Sequence, residues 1–376
     1  MAPMSQPDLV ARIALSSYRN ITLDAVRRFE GYGVSATDFF EKSASTLASI
    51  TGVRPDYFAD SRRADAMSRA LQERTFVEAN GLRALYCTAS DYPKRLAECD
   101  DAPAMLYAMG DVEVMNSLHS VAIVGTRHCT PYGADFTRRL VADLAERLDS
   151  LIIVSGLAYG VDICAHRAAL EARVPTGAVL AHGLNTIYPA DHRNDAQRIV
   201  REGGFLATEY MSSDTVHRGN FLARNRIVAG LADVTIVVES DVKGGAMATA
   251  RIASAYNREV MALPGRVNDT YSRGCNKLIA NRTATILRDA DDLIELMGWQ
   301  ERQRTGVQQE LVFETPAEYQ PVIDLIKSNP AATVNDLCVA LNMPFAALSS
   351  LLFRMELDDF IVSLPGGRYG LPAKAR

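Results

Sequence analysis

Three short stretches pair permissive backbone with donor or cationic side chains, the combination that receives a phosphate group. They are Gly125-Thr126-Arg127, Ser155-Gly156, and Lys243-Gly244-Gly245 with Thr249 one helical turn further on. Glycine lets the main chain approach a ligand closely, hydroxyls donate hydrogen bonds, and unpaired amides at a helix start carry partial positive charge. Arg127 adds a planar fork that matches phosphate oxygens.

A fourth stretch, His217 to Arg226, crowds Arg218, Arg224 and Arg226 around Phe221, with Asn225 between the last two arginines. Cations tracking phosphates while a ring stacks on a base, worth about 1–3 kcal/mol, is the chemistry that holds single-stranded nucleic acid. The stretch is read as leading into an apolar helix over Ile227 to Leu231. The bland reading makes Phe221 core and pairs an arginine with Glu209 or Glu239.

Catalytic arrangements are weaker. Asp162 and His166 stand one helical turn apart and could form an acid–base pair. Cys164 and His182 could serve as nucleophile or ligand, but no third group stands at a recognisable spacing. Dinucleotide binding would need G-x-G-x-x-G after the first strand, whereas Gly125-Thr-Arg-His-Cys-Thr130 follows it. No metal and no cofactor is expected.

These turns must be held by a parallel sheet. Val121-Ala-Ile-Val124 and Leu151-Ile-Ile-Val154 are β-branched runs that end in the first two turns and then feed helices, the pattern of consecutive βα units. Further strands are expected over 177–182, 205–208, 234–239, 259–263 and 285–287. The alternation specifies an extended Rossmann-like, doubly wound α/β sheet, which binds ligands outside the carboxyl ends of its strands. Thr130 and Pro131 suit the cap and first position of the helix after the first turn.

The organisation expected is a helical domain over 1–80, the sheet domain over 81–298 with 81–110 as a leading edge segment, a polar linker over 299–316, and a winged-helix domain over 317–376. The helical domain is SAM-like or helix-hairpin-helix-like, on the strength of the turn Leu47-Ala-Ser-Ile-Thr-Gly52-Val53. In the winged helix the third helix, from Phe345, offers few groups for base edges, which suits protein contact better than operator reading.

Composition bounds the rest. The chain has 376 residues, a formal net charge of −5 and 48% hydrophobic residues, so any polyanion site is a local patch. Its six cysteines, Cys87, Cys99, Cys129, Cys164, Cys275 and Cys338, show no metal spacing and read as reduced. With no apolar run of about 18 residues, the expected location is the cytoplasm.

Taken together, the motifs resemble the bacterial DNA-processing protein A family (DprA, also called Smf). The match runs through Val121 to Arg127, Tyr132-Gly133, Val154 to Asp162, Ala165-His166, Tyr188-Pro189, Thr208-Glu209, Arg224 to Gly230, Val237 to Glu239, Thr249-Ala250 and Leu263-Pro-Gly265. The resemblance implies a non-enzymatic protein of natural transformation that binds and shields incoming single-stranded DNA, helps load the recombinase RecA, and forms a homodimer through the sheet domain. It implies phosphate contacts from Gly125, Thr126, Arg127, Ser155, Gly156, Arg224, Asn225 and Arg226, with Arg218 and Phe221 on backbone and base. Leu222 stands where the family has proline, and Gly244-Gly245-Ala246 replaces a hydroxyl-bearing turn. The alternatives are a nucleotide phosphoribohydrolase of the lysine-decarboxylase-like group, using Glu239 although Arg251 stands at its usual glutamate, and a duplex-DNA transcription factor acting through the winged helix.

Overall fold

Short amphipathic helices open the chain. The computed structural model describes residues 6–18, 21–302, 316, 318–329, 332–358, 360–364 and 368–371. Helices α1 (Gln6–Ser16), α2 (Leu23–Gly31), α3 (Ala36–Glu41), α4 (Ala44–Thr51) and α5 (Asp60–Ala79) gather around edge-to-face rings. Phe39 lies 5.3 Å from Phe29, 5.6 Å from Tyr18 and 5.6 Å from Phe58 between centroids. The turn expected to resemble a helix-hairpin-helix is corrected in one respect. Gly52, at φ 71°, closes α4 by donating its amide to Ala48 O, and Val53 N donates to Thr51 Oγ1, so both amides are used within the turn.

The β-branched runs resolve into strands β1 (Arg83–Tyr86), β2 (Met105–Gly110), β3 (His119–Val124), β4 (Leu151–Ser155), β5 (Thr176–Val179), β6 (Phe205–Thr208), β7 (Val234–Val237), β8 (Glu259–Ala262) and β9 (Thr285–Ile286). They pair in the order β1-β2-β6-β5-β4-β3-β7-β8-β9, parallel from β6 to β9. The leading segment adds two antiparallel strands beside β6. Helices α6 (Pro131–Arg147), α7 (Val161–Glu171), α8 (Arg193–Arg201), α9 (Arg218–Gly230), α10 (Gly245–Ala255) and α11 (Arg273–Ala280) connect the strands from β3 to β9, and α12 (Ala290–Met297) follows the last.

Strand periodicity divides the apolar residues between two faces. Val121, Ile123, Ile153 and Ile236 share a core with α6, α7 and α12, whereas Ala122, Val124, Val154 and Val237 belong to the opposite core, which continues through α9 and α10 to the helical start. The chain steps from β3 through β4 and β5 to β6, then returns through α9 to β7 on the far side of β3. The connections therefore diverge at β3 and β7, and the crevice outside their carboxyl ends is the topological switch point.

The helical start docks on the sheet through specific bonds. Leu23 N and Asp24 N donate to Ala102 O and Asp100 O, and Glu73 accepts from Ser212 N at 2.8 Å. Past α12 the chain remains attached through Arg302, whose amide reaches Arg147 O, while Glu301 pairs with Arg147 at 2.9 Å. Most of the expected linker, 303–315, lies outside the described residues.

Residues 303–376 form a separate compact unit. Helices α13 (Gln320–Ser328), α14 (Val334–Leu341) and α15 (Phe345–Leu357) precede the antiparallel pair β10 (Val362–Leu364) and β11 (Arg368–Gly370). Thr333 caps α14 in a full capping box, and Leu348, Leu351, Leu352 and Met355 are core, as their spacing predicts. Phe345, Phe353 and Leu357 of α15 are exposed instead.

Candidate nucleic-acid interface

The turn after β3 is fixed by its own backbone. Thr126 N donates to Glu239 O at 2.6 Å and Thr126 O accepts from Val161 N at 3.1 Å, so one residue ties β3, β7 and the start of α7 together. Gly125 is required by packing, since a Cβ there would meet the Val161 side chain and come within 2.9 Å of Glu239 O. Gly160, at φ 77°, turns the chain into α7 where a Cβ would strike Thr126 O. Thr126 thus spends its amide inside the fold. Its hydroxyl accepts from His128 N at 3.1 Å and keeps its own proton.

The arginine-rich stretch does not precede a helix but is one. His217 caps α9 by accepting from Gly219 N at 3.0 Å, and the helix runs from Arg218. Helical periodicity then sorts the cations. Phe221, Arg224, Asn225 and Val228 line one cavity, whereas Asn220, Ala223 and Arg226 line a different one. Arg226 is corrected as a phosphate ligand. Its guanidinium is 2.5 Å from Glu209, with both side chains about five-sixths buried at 16% and 17% exposure.

Arg224 is also relocated. It is 4% exposed and donates from one nitrogen to Gly156 O at 2.5 Å and to Val179 O. Gly156 is glycine for this reason, because a Cβ would sit 2.4–2.6 Å from the guanidinium atoms. Burial lowers the Arg224 pKa, opposed by the charge of Asp162 and reinforced by Arg127. Burial likewise raises the Asp162 carboxyl, against the pull of Arg224 and the Ala158 amide. Ser155 is fully buried, and its hydroxyl donates to Ile123 O at 2.6 Å, so it reaches no ligand.

What remains open is a notch of about 120 Å³ lined by Gly125, Arg127, Gly156, Phe221, Arg224, Asn225, Gly245 and Thr249. That is far below the roughly 300–1,000 Å³ of a site that encloses a whole small molecule, and suits one group of a longer ligand. Arg127 is exposed and lies over Phe221 at 5.5 Å. Tyr188, half exposed, stands edge-on to Phe221 at 5.7 Å. Arg218 and Lys243 are exposed near the helix starts and line no part of the notch, and Gly244 packs against Ser240. Val124, Ala158, Asp162, Leu222, Val228 and Ala246 complete the lining. Of these, Val228 stands two helical turns from Phe221, the spacing that puts both on one face.

The catalytic arrangements do not assemble. Asp162 accepts from Ala158 N at 3.3 Å rather than pairing with His166. His166 is fully buried with Nδ1 2.8 Å from Thr176 Oγ1, whose proton goes to Ile153 O, so Nδ1 donates. Burial holds its pKa at about 3. Glu239, 3% exposed, spends one carboxylate oxygen on Thr130 N at 2.8 Å and the other on Thr130 Oγ1 at 2.5 Å, anchoring the cap of α6. His182 accepts from Tyr188 N at 3.2 Å. Among the described residues no group of three ligating side chains could hold a metal, and no single helix is long and apolar enough to cross a membrane.

Comparison with known proteins places these features in context. Residues 83–298 match the family model for DNA recombination-mediator protein A, and residues 309–367 match that for the DprA winged helix domain. The chain is 38% identical over 251 residues to a putative DNA processing protein DprA of Mycobacterium tuberculosis, covering 65% of this chain and 63% of that one. It is 31% identical over 281 residues to protein Smf of Escherichia coli, covering 73% and 74%. The structure of DNA processing protein A from Streptococcus pneumoniae superposes with a TM-score of 0.63 at 28% identity over 76% of this chain and 97% of that one. That of the Helicobacter pylori protein, described for its single-stranded DNA binding mode, gives 0.51 at 34% identity over 57% and 95%.

Proposed function

The chain belongs to the DNA recombination-mediator protein A family, and from that membership and the notch at the switch point we propose that it binds single-stranded DNA as a recombination mediator. It grips the strand without altering it, shields incoming DNA during natural transformation, and passes it to RecA. The acting form is a homodimer joined through the sheet domain, in the cytoplasm.

One observation carries the reading. Arg127 has no carboxylate partner among the described residues and lies over the Phe221 ring at the mouth of a notch walled by glycine turns. A free cation beside a ring serves a phosphate and the base attached to it. Gly125, Asn225, Gly245 and Thr249 line the space around them. The related Helicobacter pylori protein is described as binding single-stranded DNA. A phosphoribohydrolase needs a carboxylate free to act as base, and both Glu239 oxygens are committed to Thr130.

Anisotropy of labelled oligonucleotides across a salt series tests the proposal. Single strands should bind more tightly than duplex, with log affinity falling linearly in log salt. Equal binding to both, or affinity indifferent to salt, overturns it.

A further inference from the structure

A separate cleft of about 880 Å³ borders the end of the turn that carries Arg127. Its walls are Thr130 and Tyr132 at the start of α6, Glu239 after β7, and the irregular segment 264–272 between β8 and α11. Unlike the notch, it has the size of a site that encloses a small heterocyclic group.

The irregular wall is held in place. Asn276 bonds Gly265 twice, accepting from its amide at 3.2 Å and donating to its carbonyl at 2.9 Å. Ser240 N donates to Tyr271 O at 2.6 Å, and Gly274 N donates to Ser240 O at 2.8 Å. The Tyr132 hydroxyl fixes its ring by donating to Pro264 O at 2.9 Å. A connection without regular structure that is pinned at both ends forms its cleft before any ligand arrives, which limits the ordering cost of binding.

The lining chemistry suits a base rather than a phosphate. Arg266 and Asn268 supply donors, Asn268 and Asp269 supply acceptors, and the two tyrosines supply apolar faces. A phosphate would need donors alone, whereas a heterocycle edge carries both kinds of group. The cleft is also connected to the notch by side chains. His128, next to Arg127, lies nearly parallel to Tyr271, with centroids 6.1 Å apart and planes at 21°.

We propose that this cleft is a second base-holding station for the same strand, reached by way of Arg127 and His128, with Tyr271 and Tyr132 as its stacking walls. The inference rests on the single-strand reading above and extends it to a length requirement. A strand long enough to span both places binds more tightly than one that fills only the notch.

The test uses the full chain and thymidine homopolymers of increasing length, with thymidine monophosphate as a separate arm. Tyr271→Ala should leave the affinity of the shortest binding oligomers unchanged and weaken the longest about tenfold, the loss of one stacked base. Tyr271→Phe should restore it, and both variants should melt as the parent does. Equal loss at every length, or none at any length, overturns the second station while leaving strand binding intact. Loss confined to the mononucleotide makes the cleft a free-nucleotide site and overturns it too. Failure of the parent chain to bind any single strand removes the underlying reading together with this one.

Discussion

The Arg127 guanidinium carbon lies 5.5 Å from the centroid of the Phe221 ring, joining the turn after β3 to the first turn of α9. The two residues come from opposite sides of the switch point, so the contact exists only because the chain returns across β3. A cation held over a ring is oriented as well as charged. Arg127→Ala should weaken single-strand binding at every sequence and reduce the salt slope by about one. Phe221→Ala should cost about 1–3 kcal/mol with little change in slope. A salt titration of both variants separates the roles, and identical slopes for parent and Arg127→Ala exclude a phosphate contact there.

Arg224 calls for a different outcome. Its side chain is interior and bonds Gly156 O and Val179 O, and Asp162 is its buried counter-charge. Removing one partner of a buried charged arrangement costs about 3–5 kcal/mol, because the other is left uncompensated. Arg224→Met should therefore lower the urea midpoint sharply, and binding lost in that variant reports unfolding rather than a missing phosphate contact. A midpoint equal to the parent's would mean that Arg224 does not brace the notch.

Glu239 distinguishes a brace from a catalyst. Both its oxygens accept from Thr130. Gly133 must stay glycine beneath it, because a Cβ there would lie 2.7 Å from the carboxylate. Glu239→Gln keeps an acceptor for Thr130 N but reverses the bond to the Thr130 hydroxyl and removes the charge from both, at about 1–3 kcal/mol. The expected result is loosened amide exchange at the start of α6, and no hydrolysis of nucleoside monophosphates by the parent. Turnover by the parent that vanishes in a well-folded Glu239→Gln would support the phosphoribohydrolase instead.

How much of this could be read from the residues depends on periodicity. The strand at 205–208 and the helix at 320–328 stand where the apolar residues put them, because the strand is a short run buried on both faces and the helix buries one repeating face. Thr130 and Thr333 cap as their position before Pro131 and Val334 implies. The polar members of the site were less legible. Gly125, Gly156 and Gly133 are small because Val161, Arg224 and Glu239 crowd them, and a glycine that makes room for its own protein looks like one that makes room for a ligand. The Arg218–Arg226 run looked like an open cationic patch until helical rotation turned Arg224 inward and Arg226 onto Glu209. The cleft at 264–272 gave no signal, since an irregular segment pinned by side chains has no period.

His166 makes stability depend on pH in a direction that follows from its burial. Desolvation first, and the Arg224 charge second, lower its pKa from 6.5 to about 3. Between those values the unfolded chain binds a proton that the folded chain does not. Stability from this group is therefore complete above about pH 6.5 and is lost as pH falls, by about 1.4 kcal/mol per unit. Asp162, whose pKa is raised by burial, acts in the opposite sense within the carboxylate range, so the effect is read as a difference between proteins. In His166→Gln the amide can donate to Thr176 as Nδ1 does, but it has no proton to take up. Urea midpoints at pH 7.5 and pH 5 should fall further in the parent than in this variant. Parallel declines would mean that His166 already carries its proton inside the fold or is reached by water there.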